Sequence, residues 1–190
     1  GNGLIHFDLT TSKKRFVKIE GPTFNTSAYK YIKTLHLGKD RLLWIGFWGG
    51  GLASFDAKTE KYRIRINDNN DNRSLSFNDV WSFHEDKFGR LWIGTNGGGL
   101  NLYIPENEGE FINWKSDINS TNSIINNSIL TINEATAENE DETILLVGTE
   151  NGLSKVTVQN SRSDKFDVRL KFDNFIKTEV LTDKSLSGIL

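Results

Sequence analysis

Arg41-Leu42-Leu43-Trp44-Ile45-Gly46-Phe47-Trp48-Gly49-Gly50-Gly51-Leu52 returns 48 residues later as Gly89-Arg90-Leu91-Trp92-Ile93-Gly94-Thr95-Asn96-Gly97-Gly98-Gly99-Leu100. A weaker copy runs Ile144-Leu145-Leu146-Val147-Gly148-Thr149-Glu150-Asn151-Gly152-Leu153, and the tail of another opens the chain as Gly1-Asn2-Gly3-Leu4. The Gly-Leu pairs begin at 3, 51, 99 and 152, at spacings of 48, 48 and 53. A fixed period of this length marks stacked supersecondary units. The longer third interval contains the acidic segment Ala135-Thr136-Ala137-Glu138-Asn139-Glu140-Asp141, which reads as a longer hairpin loop.

Outward from the quoted stretch, the middle repeat divides into four short β-like runs. These are Val80–Glu85, Leu91–Thr95, Leu100–Tyr103 and Phe111–Trp114, separated by Asp86-Lys87-Phe88-Gly89, by Asn96 to Gly99 and by Pro105 to Gly109. Such turn signals between short runs predict antiparallel neighbours. The second run is continuously apolar, so both of its faces must be covered. In the third run a Leu is followed three residues later by an aromatic or Val, as Leu4/Phe7, Leu52/Phe55, Leu100/Tyr103 and Leu153/Val156. An odd separation places the two on opposite faces. The fourth run, Tyr62-Arg63-Ile64-Arg65-Ile66, alternates apolar with charged, as an outer strand with a wet edge should. Small residues at a matched position of the first run, Thr34, Ser82, Thr131 and Gly188, read as facing a crowded axis.

Sheets that are apolar on both faces and identical in plan bury those faces only by stacking around an axis. The predicted fold is therefore all-β, a β-propeller of four-stranded antiparallel blades. Residues 1–190 form one partial propeller with blade portions at 1–30, 31–77, 78–126, 127–183 and 184–190. The last portion supplies a first strand around Leu186–Leu190. This is about 15 strands, or about 3.75 blades, where closed propellers use about 4–8. Exposed blade faces associate, so a piece of a longer chain is expected, or a half-ring completed by a second copy.

Composition narrows the function. The net charge is −2 across 190 residues, so no basic field points to nucleic acid or anionic lipid. No apolar run approaches the ~20 residues of a membrane helix, and no signal peptide is visible. The lack of Cys excludes thiol catalysis, disulfides and Cys-based zinc sites but leaves the compartment open. There is no Met, so the first residue is not expected to be where translation began. Seventeen Gly and two Pro suit a β-rich chain with many tight turns.

Asp86 to Leu100, together with the linker Asp68-Asn69-Asn70-Asp71-Asn72-Arg73-Ser74-Leu75-Ser76-Phe77-Asn78-Asp79-Val80, resembles the two-component regulator propeller repeat. The resemblance covers nearly the whole chain. It is strongest in the second and third units and weaker in the last, where Leu146 stands for the Trp and one loop Gly is missing. It implies a periplasmic sensor segment of a hybrid two-component system of gut Bacteroidetes. In that family two seven-bladed propellers precede an immunoglobulin-like domain, a membrane helix, a histidine kinase and a DNA-binding regulator. The family's usual ligands are oligosaccharides from dietary or host glycans, and the response is regulation of glycan-utilisation genes. No fixed ligand motif comes with the resemblance.

Several motifs bear on chemistry. The Gly clusters 49–51 and 97–99 lack the Lys-Ser/Thr and the helix of a P-loop, so they read as turns needing φ > 0. Asp68-x-Asn70-x-Asn72 starts like a calcium loop, but Arg73 stands where Gly is required and Asp79 where Glu is usual, so it reads as a solvated turn. His36 and His84 align with each other and read as structural; with His6 on another strand, no metal set forms. Glu85, Asp86 and Glu134 are the carboxylates for a glycosidase pair, with nothing to fix their separation. Trp44 and Trp92 read as blade packing.

In a propeller, the loops leading into the first strand and those joining the second and third share one face. That face is expected to display Tyr29, Lys30, Tyr31, Phe47, Trp48, Asn78, Asp79, Asn96, Asn126, Asn127 and Glu150. Trp48 stands out because its equivalents are Asn96 and Glu150, so repeat packing does not require it. Sugar C–H faces stack on Trp and Tyr, and sugar hydroxyls pair with Asn and Asp. The expected ligand-binding set is Trp48, Tyr29, Tyr31, Asn78, Asp79, Asn96 and Glu150. No cofactor, metal or catalytic residue is expected. The expected partners are an oligosaccharide and the remaining blades or a second copy. A scaffold or dimerisation role without a small ligand is the alternative, and a polysaccharide lyase or glycosidase the third reading.

Overall fold

A computed structural model describes residues 3–22, 28–106, 109–161 and 164–176. Its strands are β1 (Leu4–Phe7), β2 (Lys14–Val17), β3 (Ile32–Leu37), β4 (Leu43–Phe47), β5 (Leu52–Phe55), β6 (Tyr62–Arg65), β7 (Val80–Glu85), β8 (Leu91–Thr95), β9 (Gly99–Ile104), β10 (Glu110–Trp114), β11 (Ile129–Ala135), β12 (Glu142–Thr149), β13 (Gly152–Asn160) and β14 (Val168–Ile176). Three sheets run in the orders β3-β4-β5-β6, β7-β8-β9-β10 and β11-β12-β13-β14, and β1 pairs with β2. Every pairing is antiparallel. The fold is an all-β partial propeller. The first strand expected around Leu186–Leu190, Gly188 included, lies outside the described residues.

The apolar second strands feed two junctions at once. From β4, Trp44 packs with Val80, Leu91, Ile93 and Phe111 of the next blade, while Ile45 and Phe47 turn to the side where Leu4 and Val17 pack. From β8, Leu91 and Ile93 close that first junction, and Trp92 joins Ile129, Leu145 and Val147 across the following one. Each such buried aliphatic side chain contributes about 1.5–3 kcal/mol. In β12 the pattern changes to strict alternation, with Leu145 and Val147 buried and Ile144 and Leu146 half-exposed. That strand has a described blade on one side alone, so one of its faces stays partly open.

The residues inserted before β12 are not absorbed by a longer loop alone. Ala135↔Ile144 adds a rung to the first hairpin, and β12 begins at Glu142, paired with Gln159 of a lengthened β13. The small first-strand residues also have a different cause from axial crowding. Thr34, Ser82 and Thr131 stand opposite Gly46, Gly94 and Gly148 in their ladders. A Cβ on Gly94 would lie 2.3 Å from Ser82 Oγ and 2.5 Å from Ile129 Cγ2. The small pair therefore makes room for Ile129 of the next blade, and Val80 sits against Gly46 in the same way. At the start of the third strands, Gly51 and Gly99 hold φ of 72° and 81°. There a Cβ would lie 2.2 Å from Arg65 O and 2.3 Å from Trp114 O, so glycine both permits the backbone and admits the fourth strand.

One junction carries a buried ion pair. Arg90 Nε donates to Asp86 Oδ2 at 2.6 Å, with both side chains fully buried. Trp92 Nε1 donates to the same oxygen at 2.8 Å, and Arg90 reaches the next blade at Thr143 Oγ1, 3.1 Å away. Every donor so placed offsets part of the desolvation of the pair.

Candidate functional site

The face to examine is built by a repeated irregularity. Register slips between Ile32 and Thr34, between Val80 and Ser82, and between Ile129 and Thr131. These β-bulges leave Lys33, Trp81 and Leu130 out of the ladder and re-aim their side chains. Beside each bulge, the tip of the turn between second and third strands is tied to the residue leading into the first. Trp48 N–H donates to Tyr31 O at 3.0 Å, Asn96 N–H to Asp79 O at 2.8 Å, and Glu150 N–H to Ser128 O at 3.2 Å. Each blade thus presents three variable positions on one frame: Tyr31, Lys33 and Trp48; Asp79, Trp81 and Asn96; Ser128, Leu130 and Glu150.

The first two sets meet across a blade junction. Lys33 Nζ lies 4.8 Å from the ring centroid of Trp48 and 4.7 Å from that of Trp81. Trp81 is oriented by its indole N–H, which donates to Asp79 Oδ1 at 2.9 Å, and Asn96 Nδ2 donates to Asp79 Oδ2 at 3.2 Å. Asp79 is buried, whereas Trp48 and Tyr31 remain 59% and 50% exposed. Two aromatic faces, one open to solvent, thus flank a cation, with the Asn96 amide tied to the same Asp79 and the exposed Tyr31 joined to Trp48 through the backbone.

The other residues expected on this face are divided between the surface and the core. Tyr29 and Phe47 are buried, not displayed: their rings pack edge to face with centroids 5.3 Å apart. The short 3-10 turn Ala28–Lys30 tucks Tyr29 into the blade. Asn78 Oδ1 accepts from Asn67 N–H at 2.7 Å, and Asn127 Oδ1 accepts from Ser116 N–H at 2.7 Å. That repeated bond anchors the linker between blades. Asn126 Oδ1 accepts from Ser128 N–H at 2.7 Å. Glu150 is exposed at its turn tip, and Lys30 is exposed beside Tyr31. Trp81 and Lys33 lie outside the set expected from the sequence. The signal was there in the repeat alignment, where 33, 81 and 130 hold Lys, Trp and Leu between positions that agree.

At the opposite end of the blades the carboxylates are committed to the fold. Glu85 Oε2 lies 3.4 Å from His36 Nε2 and accepts from Lys39 N–H at 2.9 Å. Glu134 Oε2 makes the same pair with His84 Nε2 at 3.4 Å and Lys87 N–H at 3.0 Å. With Asp86 held by Arg90 and Trp92, these three carboxylates serve blade junctions. The Asp68 loop is an Asx turn: Asp68 Oδ1 accepts from Asn70 N–H at 2.9 Å, and Asp117 Oδ1 from Asn119 N–H at 2.9 Å. Among the described residues, no group of three His, Cys, Asp or Glu is placed to hold a metal.

Residues 74–97, which run from the linker through the second strand to the turn bearing Asn96, match the family model described as "Two component regulator propeller". This stretch is similar to a two-component regulator propeller repeat. The matched stretch contains Asp79, Trp81 and Asn96 from the face described above. In fold, the chain is similar to the extracellular domain of a B. thetaiotaomicron protein described as a one component system, with TM-score 0.62 and 22% identity over 84% of this chain and 19% of that one. It is also similar to the extracellular domain of a B. thetaiotaomicron protein described as a hybrid two component system, with TM-score 0.61 and 23% identity over 94% of this chain and 21% of that one. The chain therefore spans about a fifth of the length of each of these structures, and at this identity the likeness is one of fold. No curated protein matches the chain.

Proposed function

We propose that this chain is a ligand-binding segment of a periplasmic sensor propeller in a hybrid two-component system. Its ligand is an oligosaccharide, and the response is regulation of glycan-utilisation genes by other parts of the protein. The segment itself binds and does not catalyse. The observation that carries the reading is Trp48: a large aromatic, 59% exposed at a turn tip, beside a second indole held in place by Asp79. Packing does not require Trp48 there, and an exposed indole beside a second, half-buried one, with polar neighbours, suits a sugar ring. Tyr31 and Asn96 supply adjacent hydroxyl-pairing groups, with Glu150 and Asn78 farther round the same end of the blades. The periplasmic location is supported by the extracellular domains to which the fold is similar. Tryptophan fluorescence titrated with a panel of oligosaccharides tests this: a saturable change lost in Trp48→Ala is expected, and an unchanged spectrum across the panel refutes it.

A second reading is favoured by exposed apolar side chains at the start of the described stack. Ile5, Phe7 and Phe16 on β1 and β2, with Leu35 and Leu37 on β3, are 44–70% exposed. A surface of that kind is covered by further blades or a second copy. Light scattering on the 190-residue chain checks it: a dimer supports association through these faces, and a monomer counts against it.

A further inference from the structure

We infer that Lys33, Trp48 and Trp81 form a single subsite that takes a sugar ring bearing a negative charge, a uronate carboxylate or a sulfate ester. The inference rests on the saccharide reading above and specifies the class of sugar.

The ammonium of Lys33 is the centre of this subsite. It lies 4.8 Å and 4.7 Å from the centroids of two indoles contributed by successive blades. Ring quadrupoles hold a cation from two sides and leave at least one of its three N–H donors for another acceptor. Lys33 has no carboxylate partner among the described residues, and the two ring contacts are its side-chain interactions there. The nearby acid is already satisfied: Asp79 is 6% exposed, and its two oxygens accept from Trp81 Nε1 and Asn96 Nδ2. The result is an oriented positive charge with free donors between two aromatic walls, one of which is open to solvent.

That combination discriminates among ligand classes. A cationic ligand is opposed because Lys33 already fills the space between the indoles. A neutral sugar stacks on Trp48 but gives the ammonium no charge to replace the water it loses. An acidic sugar does both, laying its C–H face on the part of Trp48 that Lys33 leaves open to solvent and its anionic group on Lys33 Nζ in a charge-assisted hydrogen bond. The bulge is what makes this possible, since a regular ladder at Lys33 and Trp81 would aim both side chains elsewhere.

The test is isothermal titration of the full chain with trigalacturonate and a sulfated N-acetylglucosamine as acidic probes and with maltotriose and mannotriose as neutral ones. It is run on the parent, Lys33→Gln and Trp48→Ala. Lys33 is exposed, so Lys33→Gln keeps the fold, checked by circular dichroism. The expected result is binding of an acidic probe that weakens with added salt and falls by about tenfold or more in Lys33→Gln. Acidic-probe binding unchanged in Lys33→Gln overturns the subsite. Neutral probes binding as well as acidic ones, equally in parent and Lys33→Gln, overturn the charge selection and leave the saccharide reading standing. Binding of neither class overturns both.

Discussion

Glu85 reaches back across a blade junction to His36, Oε2 to Nε2 at 3.4 Å, and the same oxygen accepts the Lys39 backbone N–H at 2.9 Å. Glu134 repeats the arrangement with His84 and Lys87 one blade on. The first strand of each blade thus closes the hairpin turn of the blade before it. Stacking is directional, and the aligned histidines have a structural use. Glu85→Ala strands a half-buried imidazole and a backbone donor, so it is expected to destabilise by about 1–3 kcal/mol. Glu85→Gln keeps an acceptor and is expected to lose less. Urea unfolding of both variants provides the check; equal midpoints for Ala, Gln and parent would show that the contact does not hold the blades.

The Asp86–Arg90 pair is the more severe case. Both side chains are fully buried, and Trp92 shares the carboxylate. Removing one partner leaves an uncompensated charge, so Asp86→Ala is expected to cost about 3–5 kcal/mol. Replacing both by apolar residues, Asp86→Leu with Arg90→Met, is expected to cost less than the sum of the single changes. The matched positions one blade earlier hold Gly38 and Leu42, so a blade of this chain forms without the pair. Additive single and double effects in denaturant titrations would contradict this account.

Gly94 tests the blade junction from its tightest side. An added Cβ meets Ser82 Oγ at 2.3 Å and Ile129 Cγ2 at 2.5 Å. Overpacking of this kind costs about 1–3 kcal/mol, and Gly94→Ala is expected within that range. Shortening the opposing residue, Ser82→Gly, is expected to recover part of the loss in the double variant. Thermal melts of the three proteins decide it: no rescue would mean the strain lies in the backbone and not at this contact.

How much of this could be read beforehand depends on range. The blade was legible because its information is local and repeated: a continuous apolar strand, a glycine turn and a Leu-to-aromatic offset recur at 48-residue intervals. Trp44 and Trp92 follow from that pattern as core. The anchoring bond of Asn78 was legible in principle too, since Asn127 repeats it. The bulges were not, because a one-residue slip between Val80 and Ser82 leaves the apolar pattern intact while re-aiming Trp81. Nor was the burial of Tyr29, which depends on a 3-10 turn packing it against Phe47. The meeting of Lys33 with Trp81 joins residues of different blades whose positions do not repeat, and periodicity carries no information about such a pair.

Asp79 and Trp48 separate a positioning role from a displayed one. Trp48 is exposed at a turn tip, its backbone N–H ties it to the frame, and its ring meets the exposed Lys33. Trp48→Ala is therefore expected to change stability by no more than about 0.5 kcal/mol. Asp79 is buried and accepts from both Trp81 Nε1 and Asn96 Nδ2. Asp79→Ala leaves two donors without their acceptor and is expected to destabilise by about 1–3 kcal/mol. It also releases the Trp81 indole, which should change the intrinsic fluorescence of the folded protein and the quenching of Trp81 by added iodide. Asp79→Asn retains one acceptor oxygen, so it should preserve more of both properties than Asp79→Ala. If Asp79→Ala leaves stability, emission and quenching as they are in the parent while Trp48→Ala unfolds the chain, the assignment is reversed: Trp48 is the packing residue, and the orientation of Trp81 comes from the bulge alone.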